Sequence, residues 1–347
     1  VSTDYLKLTA YFGERLRGQR RFVADDLLDL FGAHRLATSV VLRGSAGYGP
    51  RHELRSDLTL SLSEDLPVAV AAVDRAERIT GLAEQAVAMI SRGIVTLERA
   101  QLVGAPPPEH AKLTVYVTRA GSYRAVCDVL RAHGFAGAAA FLGVDGTAAG
   151  QRRRARFFSA NTGVPVMIIA PGTGAQVAAA VPELQRLVPG ATMTVERVQL
   201  CKRDGRLLAA PAALPTTDAA GRPLYQKLMI HTAENTMAGP HGEVPVHRAL
   251  VSRLRERRVV SGVTVLRGIW GFHGDHEPHG DKMFQLSRRV PVTTVVVDTP
   301  ARIAACFAIV DELTGRHGLV TSELVPALVS VDGGHRRGET GLAAYTW

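Results

Sequence analysis

The chain has 347 residues, enough for two or three domains at about 150 residues each. Its 46% hydrophobic and 21% charged residues supply a core and exclude disorder as the main state. A balance of 41 Lys and Arg against 32 Asp and Glu leaves +9, which permits anionic partners without requiring them.

In chain order, the first strand is predicted at 6–12. Val23, Leu27, Leu30 and Phe31 then recur at helical spacing. A second strand ends at Val41-Leu42-Arg43-Gly44, and a polar, Gly-rich excursion follows. The third strand, 68–73, is apolar on both faces, as a strand covered on both sides must be. Asp74 and Glu77 have capping-box spacing ahead of a second helix, Gly93 stops it, and a last strand runs over 94–102.

The same order then returns twice. Lys7-Leu8-Thr9-Ala10-Tyr11 recurs as Lys112-Leu113-Thr114-Val115-Tyr116 and, more loosely, as Lys227-Leu228-Met229-Ile230-His231. The Leu-Arg-Gly landmark returns at 265–268 and weakly at 141–144. Pro67-Val68 returns as Pro165-Val166 and Pro291-Val292. Glu98 returns as Glu196 and Glu323, at one strand position in all three copies, which suggests ion pairs between units. In the third copy Val246, Leu250, Val251 and Leu254 make the helical stripe, and Thr299-Pro300 caps the second helix.

Strand, helix, strand, strand, helix, strand is the split βαβ pattern, so the fold class is α+β with three tandem ferredoxin-like units. Their boundaries fall at 1–104, 109–203 and 222–330, with 331–347 read as a mobile tail. Right-handed crossovers put both helices of a unit on one sheet face. The opposite face is apolar and needs a cover, which three copies supply by packing together as a pseudo-trimer.

The residues Val265-Leu266-Arg267-Gly268-Ile269-Trp270-Gly271-Phe272-His273-Gly274, followed by Arg289-Val290-Pro291-Val292, resemble a PII-like signalling protein, in its poorly characterised bacterial branch. Leu42-Arg43-Gly44-Ser45-Ala46-Gly47-Tyr48-Gly49-Pro50 carries the same likeness in the first copy. The resemblance implies a regulator and not an enzyme. It needs no cofactor and senses a small anionic effector, an adenine nucleotide, in clefts between units. It also implies a protein partner, a transporter or an enzyme, that reads the loop between the second and third strands.

A Gly-rich turn lets backbone N–H groups approach phosphate oxygens, and arginine pairs with them bidentately. The candidate ligand residues are therefore Arg43, Gly44, Gly47, Tyr48 and Gly49, with Arg267, Gly268, Gly271, Phe272 and Gly274. The junction before each last strand (91–93, 188–190 and 316–318) is short and lacks the lysine-bearing loop of nucleotide-binding PII proteins. The middle copy reads as having lost the double glycine, with Gly143-Val144-Asp145-Gly146 in its place.

Two rival classes are a nucleic-acid binder and a metal-binding module. The first would use the basic excess and Arg152-Arg153-Arg154-Ala155-Arg156; yet aromatics are only 5% and the strand interiors are aliphatic, so stacking platforms are missing. The second would use His273, His276 and His279, in a Gly- and Pro-rich loop that fixes no geometry. No nucleophile elbow, Walker loop or His-Glu-x-x-His motif is present. Three scattered cysteines exclude a disulfide framework, and a reduced, cytoplasmic setting fits. The uncharged run 163–182 carries Pro165, Pro171, Gly172 and Gly174 and reads as strand, turn and helix start, not as a membrane span.

Overall fold

A computed structural model describes residues 4–18, 21–57, 65–118, 122–148, 151–154, 163–238, 244–273, 279–280 and 290–346. Unit 1 contains β1 (Asp4–Gly13), α1 (Val23–Ala33), β2 (Thr38–Tyr48), β3 (Arg55–Ser56), β4 (Pro67–Arg75), α2 (Ala76–Ala88) and β5 (Arg92–Leu102). Unit 2 contains β6 (His110–Val117), α3 (Ser122–Ala132), β7 (Gly137–Leu142), β8 (Asp145–Ala148) and β9 (Gln151–Arg154). It ends with β10 (Val166–Thr173), α4 (Gly174–Leu187), β11 (Thr192–Arg197), β12 (Gln199–Arg203) and β13 (Arg206–Leu207).

Unit 3 contains β14 (Tyr225–Ala233), β15 (Met237–Ala238), β16 (Val244–Pro245), α5 (Val246–Arg257), β17 (Val263–Arg267), β18 (Trp270–His273) and β19 (His279–Gly280). It continues through β20 (Pro291–Asp298), α6 (Pro300–Leu313), β21 (Leu319–Val325), β22 (Ala327–Asp332) and β23 (His335–Glu339).

The four main strands of each unit pair in the same antiparallel order: β2-β4-β1-β5, β7-β10-β6-β11 and β17-β20-β14-β21. Helices cover one face. Val23, Leu27 and Phe31 are buried there in unit 1, and Val246, Leu250, Val251 and Leu254 in unit 3. The other face packs into a core shared by all three units, with Val40 and Val73, Tyr116 and Phe141, and Met229 and Val295 among its members. That shared core accounts for the two-sided apolarity of β4, β10 and β20.

The units are also stitched by strands. Past its glycine landmark β2 runs on and pairs with β17 of unit 3. In the same way β18 of unit 3 pairs with β7 of unit 2, and β8 of unit 2 with β2 of unit 1. On the other side, β12 pairs with β21, β22 with β5, and the end of β5 with β11. Both sets run around all three units and return to the start, so almost every strand belongs to one continuous sheet.

Several expectations need correction. Of the stretch 331–347, read as a mobile tail, the described residues to 346 are tied down: β23 pairs with β22, and beyond it Arg99 donates to the Ala343 carbonyl at 2.6 Å. β23, exposed along its whole length, extends a sheet edge that sequence reading did not foresee. Asp74 does not cap α2; its carboxylate accepts from Ala37 N–H (2.9 Å) and Arg75 N–H (2.7 Å). The one complete capping box seen among the described helices is Thr173 with Gln176 at α4. Cys127, Cys201 and Cys306 are free and buried, and burial pushes each thiol up to about 12. No described helix is long and apolar enough to cross a membrane.

Candidate ligand-binding cleft

Where the three units meet, the repeated lysines and glutamates form an alternating ring. Lys7 bridges Glu196 (2.6 Å) and Glu98 (3.3 Å), Lys112 bridges Glu196 and Glu323 (2.5 Å each), and Lys227 bridges Glu323 (2.8 Å) and Glu98. These are the inter-unit ion pairs that the repeated glutamates suggested. All six side chains are buried. The three carboxylates lie close enough to share a metal ion, but three ammonium groups already neutralise them. Burial raises a carboxyl, yet the ammonium charges prevail: Glu196 falls to about 2 and Glu98 lies well below the carboxylate range. Burial also opposes the charge on Lys7 and Lys227, and there the glutamates prevail and raise both. At Lys112 burial prevails and lowers it.

Around this ring lie three equivalent clefts, each at a junction of two units. Each takes the end of a first strand (Tyr11, Tyr116 or His231), the start of a last strand (Ile94, Thr192 or Leu319) and the residue after a strand-crossing glycine (Tyr48, Thr147 or Phe272). The cleft between units 2 and 3 is nearly filled, at about 10 Å³. Between units 1 and 2 about 290 Å³ is free, with no charged side chain in its lining. Between units 1 and 3 about 110 Å³ is free, and Arg51, Arg55 and Arg92 line it beside Glu53 and Asp65. Arg55 is paired with Asp65 at 2.9 Å. Tyr48 is 5% exposed, and its hydroxyl has no hydrogen-bond partner among the described residues.

The sequence-predicted ligand residues divide. Gly47, Tyr48 and Gly49 line the cleft between units 1 and 3, and Phe272 the one between units 2 and 3. Phe272 is committed to packing in the core of unit 2. Arg43 and Arg267 line none of these three clefts; they pair with Glu14 and with Glu234 (2.8 Å) at equivalent places. Gly274 and His276 lie outside the described residues, and His273 and His279 are placed only by their backbones in β18 and β19. Arg152 is half-buried and already paired: it joins Asp25 and Asp29 of α1 (2.6 Å each) to Asp145 (2.7 Å), clamping unit 2 onto unit 1.

The glycines do a different job from the one expected. A Cβ on Gly44, Gly143 or Gly268 would lie 2.8, 2.6 or 2.7 Å from the proline-bearing start of the third strand. On Gly47, Gly146 or Gly271 it would lie 2.4, 2.3 or 2.1 Å from the carbonyl oxygen of Val263, Ser39 or Ala138 in the neighbouring unit. These are close-approach glycines where one unit's strand crosses onto the next, not turn glycines. The middle copy therefore keeps the Gly-x-x-Gly spacing. Its landmark aligns as Phe141-Leu142-Gly143, one residue earlier than the sequence reading placed it, with Leu142 at the place of Arg43.

Sequence reading missed Arg51 and Arg55, which sit in an excursion without a repeat landmark. It passed over Arg92 because a lysine was sought at that junction.

A family model described as "Uncharacterized ACR, COG1993" (DUF190) matches residues 5–102, 111–200 and 222–327. The chain belongs to the DUF190 family. Each DUF190 match covers the four main strands and two helices of one unit; β13, β23 and nearly all of β22 lie beyond them. A "UPF0166 protein" of Aquifex aeolicus (strain VF5) is 33% identical over 85 residues, which are 24% of this chain and 77% of that protein. That relative is thus about one DUF190 unit long.

Proposed function

We propose that the chain is a PII-like regulator: three ferredoxin-like units closed as a single-chain pseudo-trimer, binding a small anionic effector between units 1 and 3. An adenine nucleotide is the leading effector class. The observation that carries this reading is the inequality of the three clefts. Of the three clefts, two have free volume and a buried tyrosine hydroxyl without a partner among the described residues, Tyr48 in one and Tyr116 in the other, but three arginines join them only between units 1 and 3. Guanidinium groups pair with phosphate oxygens, and the orphaned hydroxyl offers a further donor. The closed pairing of strands around the three units and the one-unit length of the Aquifex relative support the pseudo-trimer.

The reading assigns no catalytic step. Its output is a changed docking surface for a protein partner at the excursions between second and third strands, by ordering on ligand binding. Nucleic acid is a weaker reading, because Arg152 is spent on three aspartates.

A ligand selective for the folded state must stabilise it. The melting temperature is therefore expected to rise with millimolar ATP, ADP or AMP, saturating at one nucleotide per chain. Arg92→Ala is expected to weaken binding by about tenfold or more, the scale of a lost charged hydrogen bond. No shift with any of these nucleotides, or three equal sites per chain, contradicts the proposal.

A further inference from the structure

Asp332 ends β22, just before a turn in which Gly333 (φ 58°) and Gly334 (φ 88°) both take left-handed conformations. Its Oδ1 lies 3.3 Å from Arg92 Nε and 3.4 Å from Arg51 Nε. Both arginines line the cleft between units 1 and 3, whereas Asp332 arrives from the segment after the last main strand of unit 3. One carboxylate oxygen therefore faces two guanidinium groups. It satisfies neither well: Arg92 Nε and Asp332 Oδ1 are shielded from solvent and lack a well-formed hydrogen bond.

The turn carrying Asp332 is held from outside the cleft. Gly333 N–H donates to the Ser91 carbonyl at 3.2 Å, Arg336 pairs with Glu84 of α2 at 2.6 Å, and Thr340 reaches the same carboxylate at 2.6 Å. A carboxylate held at the arginines in this way occupies the charge that a phosphate would use.

We infer that Asp332 is an internal counter-anion that holds Arg51 and Arg92 until an anionic ligand displaces it, coupling occupancy of the cleft to release of the β22–β23 turn. The inference rests on the reading of that cleft as an anion site. The three side chains are 50, 37 and 32% exposed, so the contact is weak enough to be displaced. A phosphate offers several oxygens in bidentate geometry and outcompetes a single, badly aligned one. Competition lowers the apparent affinity by the fraction of molecules already released. By reciprocity, a bound anion must loosen the turn.

The test uses the full chain as wild type, Asp332→Asn and Glu84→Gln, titrated with ATP and with inorganic tripolyphosphate by calorimetry at low salt. Asp332→Asn is expected to bind both probes about fivefold more tightly, the reach of one exposed ion pair. Glu84→Gln loosens the outer tether and is expected to shift affinity the same way by less. Deuterium uptake over 330–339 in the wild type is expected to rise on saturation with ATP. Equal or weaker binding by Asp332→Asn, or falling uptake, while the wild type binds, overturns the counter-anion and leaves the cleft reading standing. If neither probe binds wild type or Asp332→Asn at millimolar levels, both readings fall. Should Asp332→Asn fail to fold, the Glu84→Gln and uptake results decide.

Discussion

Lys227 illustrates what burial of charge requires. Its ammonium group is shut away from water and is tolerated only because Glu98 and Glu323 flank it. Removing one member of such a network leaves its partners buried and uncompensated. Lys227→Met is expected to cost ~3–5 kcal/mol in urea unfolding. Lys227→Met with Glu98→Met leaves the balanced run Lys7–Glu196–Lys112–Glu323 and is expected to recover more than half of that loss. Lys112, which burial lowers despite its two glutamates, is expected to be the cheaper lysine to replace.

The carboxylates also set a pH dependence. Glu98 and Glu196 are depressed in the folded state, so their contribution is complete above the ordinary 4.5 and is lost as pH falls, for Glu196 through about 2 and for Glu98 at still lower pH. Lys227 is raised, so its contribution is complete below the ordinary 10.5 and is lost only as pH climbs past it. Stability measured by denaturant melts is expected to fall steeply from about pH 4.5 downward, and less so in Lys227→Met with Glu98→Met. The ring was legible in sequence because both members recur at fixed places in every copy. Arg51 and Arg55 were not, since side chains in an excursion gain meaning only when the neighbouring unit folds over them.

At the scale of elements, the crossing strands depend on glycine for clearance and not for left-handed backbone. Gly47→Ala, Gly146→Ala and Gly271→Ala would each force a methyl group against a carbonyl oxygen. Each is expected to cost ~1–3 kcal/mol, the scale of overpacking a tight contact. Gly49→Ala meets nothing within 4 Å and is expected to be near neutral, within ~1 kcal/mol. Thermal melts of the four variants check this.

The element order and the helix stripes could be read from periodicity, because apolar spacing at Val246, Leu250, Val251 and Leu254 is a local property. The continuation of β2 beyond Gly44 could not. That segment is polar and Gly-rich and becomes a strand only because β17 supplies its hydrogen-bond partners. The hairpin of β22 and β23 escaped for the same reason: its pairing partner β5 is more than 200 residues away in the chain.

At the scale of the whole molecule, the units must close on one another. A pair of neighbouring units would leave Lys and Glu members of the ring facing water and a face of Val, Met and Phe uncovered. A compact globule of this length has a radius of gyration of about 20 Å. Small-angle scattering on the 37.1 kDa chain, with its mass measured in the same experiment, tests the closed arrangement most directly. A radius of about 20 Å at the mass of a single chain is expected. A clearly larger radius at the same mass, with the separated maxima of independent lobes in the distance distribution, would contradict it.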